Sequence, residues 1–538
     1  MMSAQEPENI AIIGAGWYGF EVAKTLSEQK NVKITLLEKN PRIFGRTSGK
    51  LGVRDHLGPH YPRSEETRKS CLRGHDKFSA TYPELLSRHG RSLYAIGDKD
   101  IDGNRSKVDA AKFEELAGKD GKPGEHSSFK VQPLSQFKEY QHLETILDTE
   151  EMNILVGDKL RDIMNGYLQQ ENIEIKLNTE VEKIVTDAEG KIFITTKNVE
   201  TKETETTEFD AVVNATSYQE FLPDKPLLFD MKVVYQSCLG LLYEDTQEAE
   251  KGPANPIIIM DGWFPCLVYY DDKGTDGRSR YLLTHAKFTN LNSCPTPEEA
   301  KMLLSEELTN PQFLINVEKS AREHMTHFYG EFSERFKYQG HIETVHAKIA
   351  SDTDFREAVV FQDENSKMIY IIPGKIANIF DAAEDVLNLL YPQLNQSNII
   401  TKEGYLYVED GTLCRGQKEI SKKPTDPSRS TYALQTGEKI WKAIGGDPRV
   451  FEKKKAELSS LSRNSCPSLL ETLQENKDAL SPRQTVVVHR LYSNSARQTF
   501  LKPVKRVHSD SLAELDEKLP PSIKNCNVVV ISLGFMRK

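Results

Sequence analysis

A chain of 538 residues exceeds what one hydrophobic core ordinarily organises, so two or three domains are expected. Its composition, 38% apolar and 28% charged, is that of a globular rather than a disordered chain. With 70 basic and 80 acidic side chains the formal charge is −10, which argues against general affinity for nucleic acid or an anionic membrane. Residues 9–38 read as strand, tight turn, helix and strand: Ile10, Ile12 and Ile13 form an apolar run, and Phe20, Val22, Ala23 and Leu26 recur at helical spacing. Residues 40–63, dense in Gly, Pro, Arg and His, predict a long loop, and a helix follows from about Glu65 past Phe78. Residues 97–128 read as surface loops and 157–170 as a helix. The stretch 173–184 predicts a strand pair or a bent strand, followed by a hairpin with a charged tip and a buried strand at Val212-Val213. Residues 229–290 alternate like an antiparallel sheet, 296–329 are helical, and 368–390 is strand, turn, helix. Beyond about residue 400 the texture changes. "SKKPTDPSRS" (421–430) reads as a linker, and 484–534 as a small strand–helix–strand unit.

The first of these units carries chemistry. Gly14 turns the chain off the strand, Gly16 admits a pyrophosphate to the backbone, and Gly19 lets helix and strand pack closely. The helix N-terminus offers free N–H groups and partial positive charge to phosphates. Glu38, at the end of the second strand and followed by Lys39, is placed to accept hydrogen bonds from a ribose diol. Strand, glycine triplet, helix, strand and acid fall in order within about 30 residues, which makes a dinucleotide the expected ligand. Later segments supply what a flavin requires. Arg46 follows the acid and is placed to meet phosphate; the backbone of Val181 can pair with adenine; Ala215 and Thr216 end a strand under the nucleotide. Gly374 and Lys375 lie between a strand and a helix whose N-terminus can face the flavin's pyrimidine edge. FAD is therefore the expected cofactor.

Taken together with His56-Leu57-Gly58-Pro59-His60-Tyr61-Pro62-Arg63-Ser64 and the later stretches "MDGWFPCLVYYDD" and "YLLTHAKFT", the chain resembles the FAD-dependent oxidoreductases of the D-amino-acid oxidase superfamily over about residues 8–395. The resemblance implies an α/β fold: a discontinuous Rossmann-like FAD-binding domain (8–75, 150–225 and 345–400) with an inserted, mostly antiparallel β substrate domain (76–149 and 226–344), then a C-terminal α/β extension (401–538). The chain departs from the family at Ser217, where a glycine is usual, and at Lys375, where an acid often follows the late glycine.

The 56–63 loop concentrates the residues expected to face substrate. His56, His60 and Tyr61 suit proton transfer near neutral pH, and Arg63 suits a substrate carboxylate. Gly58 and Pro59 between the histidines disfavour a helix, so the i, i+4 pair is not read as a metal site, and no metal is expected. Trp17 and Tyr18 read as packing residues. Trp263, Phe264, Tyr269 and Tyr270 either wall a pocket or fill a sheet core, and His285 is as readily structural as catalytic. The expected activity is hydride removal from a C–N or C–O bond of a small polar, amine or amino-acid-like substrate. One alternative is a flavin-dependent sugar-nucleotide mutase, which requires clustered arginines, here only Arg278 and Arg280. The other is a non-catalytic FAD-bound scaffold whose C-terminal extension binds a protein partner. Seven dispersed cysteines without a Cys-x-x-Cys pair, no signal-like start and no apolar run of about 20 residues lead to the expectation of a cytoplasmic protein without a membrane span.

Overall fold

The computed structural model describes residues 8–51, 53–118, 129–223, 233–270, 277–350, 356–363 and 366–391, with four strands further on. At its centre is β1 (Glu8–Ile13), which runs parallel to β2 (Val32–Leu37) on one side and to strand Ala211–Asn214 on the other. The full order in this sheet is Val359–Gln362, Met368–Ile372, Ala211–Asn214, β1, β2, Ile173–Lys176, and only the first pair is antiparallel. A parallel sheet is covered on both faces, so its strands are continuous apolar runs rather than alternating ones. Ile10 to Ile13 and Met368 to Ile372 are accordingly all buried. Helix α1 (Trp17–Ser27) shares a core with helix Ile379–Leu390 through Phe20, Val22, Ala382, Ala383 and Val386.

The turn from β1 to α1 shows why glycine is needed there. Gly14 has φ +98°, a conformation that L side chains rarely adopt. A Cβ on Gly19 would lie 1.9 Å from the Gly14 carbonyl oxygen, so helix and strand approach to a distance only hydrogen permits.

The second layer is a large, mostly antiparallel sheet. Its order is Asn290–Cys294, Val233–Asp245, Arg280–His285, Pro265–Tyr270, Ile257–Met260, Ser92–Gly97, Leu143–Thr149, Lys130–Gln132, with Phe336–Ile349 also pairing to Val233–Asp245. Ile257–Met260 runs parallel to Ser92–Gly97. Helices Pro297–Thr309 and Pro311–Phe328 bury Ala300, Leu304, Val317, Ala321, Met325 and Phe328 against it. The expected single helical stretch is broken because Pro311 has no N–H to continue the first helix and Asn310 caps the second. The stretch 173–184 divides between two sheets: Thr179–Thr186 begins a three-stranded meander with Ile192–Asn198 and Thr204–Phe209. The expected boundary at residue 75 falls inside helix α2 (Glu65–Thr81), whose Phe78 belongs to the core of the parallel sheet. In the C-terminal stretch Tyr405–Glu409 pairs with Thr412–Gly416, and Gln484–Leu491 pairs antiparallel with Val528–Phe535. The helix expected between the latter two strands and the linker at 421–430 lie outside the described residues. Among the described residues no helix is long and apolar enough to cross a membrane.

Two glycine-to-alanine changes should have opposite outcomes. Gly19→Ala forces the Cβ into the Gly14 carbonyl and should destabilise by about 1–3 kcal/mol or more. Gly166→Ala, in helix Gly157–Tyr167 with nothing within 4 Å of its added Cβ, should be neutral or stabilising by up to ~1 kcal/mol. Denaturant midpoints of the two variants check this, and equal midpoints would be evidence against the close contact.

Candidate functional site

Glu38 is buried at the end of β2. Its Oε2 accepts the backbone N–H of Ala15 at 2.9 Å, and its Oε1 accepts that of Asn40 at 2.9 Å and also the Asn40 amide group. A carboxylate has about four acceptor positions, so the group that fixes the glycine turn retains capacity for a ribose hydroxyl. Arg46 is exposed and held to Asn40 Oδ1 at 3.3 Å, and Lys39 pairs with Glu220. Gly16 is the N-cap of α1 and brings no side-chain cap; a Cβ there would meet Ser48 Oγ at 2.7 Å. Ser48 is itself pinned by Trp17, which donates to it from its backbone (3.2 Å) and from its indole Nε1 (3.1 Å), so Trp17 is a packing residue. A cleft of about 500 Å³ is lined by Val181, Glu180, Gln219, Glu220 and Phe221, beside the Glu220–Lys39 pair. Val181 sits at the irregularity in its strand's register. Ala215 closes over the Gly14 turn, its carbonyl 2.9 Å from where a Gly14 Cβ would be, and Thr216 hydrogen-bonds Asn214 at 2.7 Å. Ser217 takes φ +60°, a left-handed conformation that glycine adopts more readily than serine. A glycine-lined turn at a helix N-terminus where only the Ser48 hydroxyl, at the Trp17 N–H, stands in the way, ending in a buried carboxylate with about one acceptor position to spare, fits a dinucleotide.

The other end of the site gathers around Tyr18. Its hydroxyl accepts the Gly374 N–H and donates to the Lys375 carbonyl, each at 2.8 Å, which fastens α1 to the late glycine turn. A Cβ on Gly374 would lie 2.4 Å from the backbone of residues 356–358. Lys375 caps a short 3₁₀ turn, Ile376–Asn378, and holds its ammonium 5.0 Å above the Tyr61 ring. The structure thus brings Lys375 together with the expected loop. The His56 and His60 rings are 5.2 Å apart, and Tyr61 is 4.9 Å from His60. His60 Nδ1 is buried without a hydrogen-bond partner among the described residues. Arg63 stands apart: it is exposed and ion-paired with Asp261.

Under the loop lies a charge network that the sequence reading did not single out. Glu151, fully buried, accepts Arg54 Nε and Nη2 (3.1 and 2.7 Å) and the Tyr94 hydroxyl (2.7 Å) on Oε2, and the Leu57 N–H (2.8 Å) on Oε1. His56 Nδ1 lies 3.8 Å from Oε1. Arg54 also bonds Ser92, and Asp55 pairs with His75 at 2.7 Å. Burial alone would raise the Glu151 carboxyl, but Arg54, His56 and Tyr94 outweigh it and hold it well below the usual carboxylate range. Burial pushes His56 down, with Lys375 and Arg54 adding to the shift and Glu151 opposing it. Burial, His56 and Lys375 push His60 well below the ordinary imidazole range. Both rings are therefore neutral at pH 7.

Other singled-out residues are distributed differently. Phe264, Tyr269 and Tyr270 are buried in the large sheet, whereas Trp263 is 48% exposed near Lys107. His285 is buried against His324 and Phe288. Arg280 lies 3.7 Å from Glu244. His346, in strand Phe336–Ile349, is a further histidine that the strand directs to this side. Thr344, on the same face of its strand, bonds Thr47 in the nucleotide loop, so His346 faces the nucleotide side. Burial, with Lys348 and Lys375, pushes it down to about 3.

The family model described as FAD dependent oxidoreductase matches residues 9–239. The chain is 33% identical over 432 residues to the FAD-dependent monooxygenase kojA of Aspergillus flavus, covering 79% of this chain and 96% of that protein. It is 27% identical over 389 residues to the FAD-dependent monooxygenase FPY4 of Fusarium mangiferae, covering 71% and 91%. Among solved structures, glycine oxidase from Geobacillus kaustophilus matches with a TM-score of 0.48 at 12% identity, covering 72% of this chain and 95% of that one.

Removing one member of the buried pair leaves the other uncompensated. Glu151→Leu should therefore destabilise by about 3–5 kcal/mol, and the double variant Arg54→Met/Glu151→Leu should recover much of that. Chemical denaturation of the three proteins checks this. A single variant within ~1 kcal/mol of the parent would mean that the pair is solvated.

Proposed function

Because this chain belongs to the FAD-dependent oxidoreductases of the D-amino-acid oxidase superfamily, we propose that it removes a hydride from a C–N or C–O bond of a small polar, amine or amino-acid-like substrate at the face lined by His56, His60, Tyr61 and Lys375. The observation that carries this reading is the buried, unbonded Nδ1 of His60 beside a second neutral imidazole. Bound FAD supplies the two-electron chemistry. Gly14, Gly16, Gly19, Glu38, Lys39, Arg46, Val181, Ala215, Thr216 and Gly374 would hold it, and the chain's remaining task is to manage a proton. With its own proton on Nε2, His60 offers the Nδ1 lone pair to the N–H or O–H of the substrate. That bond breaks as the hydride leaves carbon, and a C=N or C=O bond forms. Glu151 fixes the loop backbone at Leu57 and so sets the imidazoles in place. Lys375 would supply positive potential to the cofactor on reduction. An acidic substrate competes with Asp261 for Arg63.

The names of the relatives favour a second reading, monooxygenation. The two differ in the source of electrons: dehydrogenation takes both from the substrate, whereas oxygenation requires an external reductant. Anaerobic mixing with a panel of amines, amino acids and alcohols, without NAD(P)H, should bleach the flavin with at least one of them. Bleaching only with NAD(P)H, followed by incorporation of labelled oxygen into product, would establish the second reading and discard the first. Intact flavin with turnover under neither condition returns the protein to a scaffold role.

The pH dependence follows from the direction of the histidine shifts. A folded pKa below the ordinary value keeps the rings neutral as pH falls through about 6.5, so the reduction rate at saturating substrate should be flat there and decline only at lower pH. His60→Ala should keep its flavin and lose roughly 10²-fold or more in that rate. A decline centred at or above the ordinary imidazole pKa, or an unaffected variant, would remove His60 as the base.

A further inference from the structure

The sequence has no metal-binding motif, but the fold assembles a set of ligands from positions far apart in the chain. Asp98 follows strand Ser92–Gly97, His142 precedes strand Leu143–Thr149, and His327 lies in the last turn of helix Pro311–Phe328. One ligating atom from each lies within 4.8 Å of the other two. We propose that Asp98, His142 and His327 form a binding site for a borderline divalent cation such as Zn²⁺, outside the flavin site.

The backbones that carry the three side chains are tied to one another. The Asp98 N–H donates to the His142 carbonyl at 3.0 Å, and the Gln141 N–H donates to the Phe328 carbonyl at 2.9 Å. His142 is held at φ +57°, a left-handed conformation uncommon for a residue with a side chain, and this turns it towards Asp98. Its Nδ1 lies 3.8 Å from Asp98 Oδ2, and its ring stacks on that of His327 with centroids 4.0 Å apart and planes within 9°. The second oxygen of Asp98 is occupied by the Lys99 N–H, which leaves Oδ2 as the ligating atom. The Lys99 carbonyl lies 3.0 Å from His327 Nε2 and can hold that nitrogen's proton, in which tautomer Nδ1 would be the ligating atom. A carbonyl behind the imidazole is the arrangement that orients metal-bound histidines.

Two imidazoles and one carboxylate suit Zn²⁺, Co²⁺ or Ni²⁺ rather than Ca²⁺ or Mg²⁺, and three protein ligands leave a fourth position for water. Ligand atoms around tetrahedral zinc stand ~3.3 Å apart and an imidazole lone pair lies in its ring plane, so the side chains need to close by up to about 1.5 Å and one of the two stacked rings has to rotate out of the stack to meet the same cation. Asp98 and His142 have the freedom to do so, since each side chain is 46% exposed. A bound cation would clamp the end of helix Pro311–Phe328 to the edge of two strands.

The test uses the full-length, FAD-loaded protein stripped of metal by a chelator and titrated with ZnCl₂ in a calorimeter. About one equivalent should bind. His142→Asn and His327→Gln should each weaken binding by roughly tenfold or more, with flavin content and metal-free melting temperature unchanged. Zinc should raise the melting temperature of the parent and not that of the double variant. Absence of binding to the parent at high micromolar zinc would overturn the site. So would full-affinity binding by the double variant, which would place the cation elsewhere. Should a histidine variant lose flavin or melt early, Asp98→Asn, the same size at a half-exposed position, decides by the same criterion.

Discussion

A single carboxylate, that of Glu151, holds the candidate site together. It meets Arg54 and Leu57 from the histidine loop and Tyr94 from the large sheet, and it lies against His56. Removing both charges from water costs several kcal/mol per ion, and only good geometry with further hydrogen bonds offsets this. The fork of Arg54, the Leu57 N–H and the Tyr94 hydroxyl supply those bonds. The compensation is incomplete, because Arg54 Nη1 and Asp55 Oδ1 are buried without partners among the described residues. Two apolar side chains of similar volume would fill the space with comparable stability. They would not fix the backbone at Leu57, and so would not aim the imidazoles that follow from it. The network is better explained by the direction it imposes on the loop than by any stability it adds.

Charge and burial then act on the histidines in the same direction. His56 and His60 are desolvated and lie near Arg54 and Lys375, while Glu151 alone opposes them. Were Glu151 neutral, the cations would act unopposed. Were Arg54 absent, the carboxylate would draw a proton onto His56. The pair lets a positive surrounding coexist with neutral imidazoles beside it, as the proposed removal of a proton together with a hydride would require.

The nucleotide unit was legible in the sequence because its physics is local. A parallel strand buried on both faces must be a continuous apolar run, and the glycines at 14, 16 and 19 and the acid at 38 fall within one strand–helix–strand unit. The loop at 56–63 was legible by residue type, although the separation of Arg63 from the buried cluster was not: its partner, Asp261, is 198 positions away. Glu151 left no sign for a similar reason. It sits in "DTEEMNI", which reads as an acidic turn, and nothing local says that one of two adjacent glutamates is buried against an arginine 97 positions earlier. His346 shows a recoverable signal. It lies two positions from Thr344 in an alternating strand, so once one of them is known to touch the nucleotide loop the other must face the same way.

The relatives named monooxygenases and the hydride-transfer reading differ less at the protein than at the cofactor. Where a substrate N–H or O–H proton has to leave, a neutral, unbonded imidazole nitrogen such as His60 Nδ1 could take it under either reading. A cation such as Lys375 would serve both as well, since either chemistry would add negative charge to the cofactor. On the proposed reading the residues gathered around Lys375 bear on where the proton goes and where charge is stabilised, not on where the electrons originate. Electron origin depends on whether the carbon that reaches the flavin can give up a hydride, a property of the substrate. The selecting groups are then those that hold that carbon in place. On the proposed reading Arg63 and Asp261, ion-paired with one another at the exposed edge of the loop, are the residues whose exchange of partners would favour an anionic substrate over a neutral one.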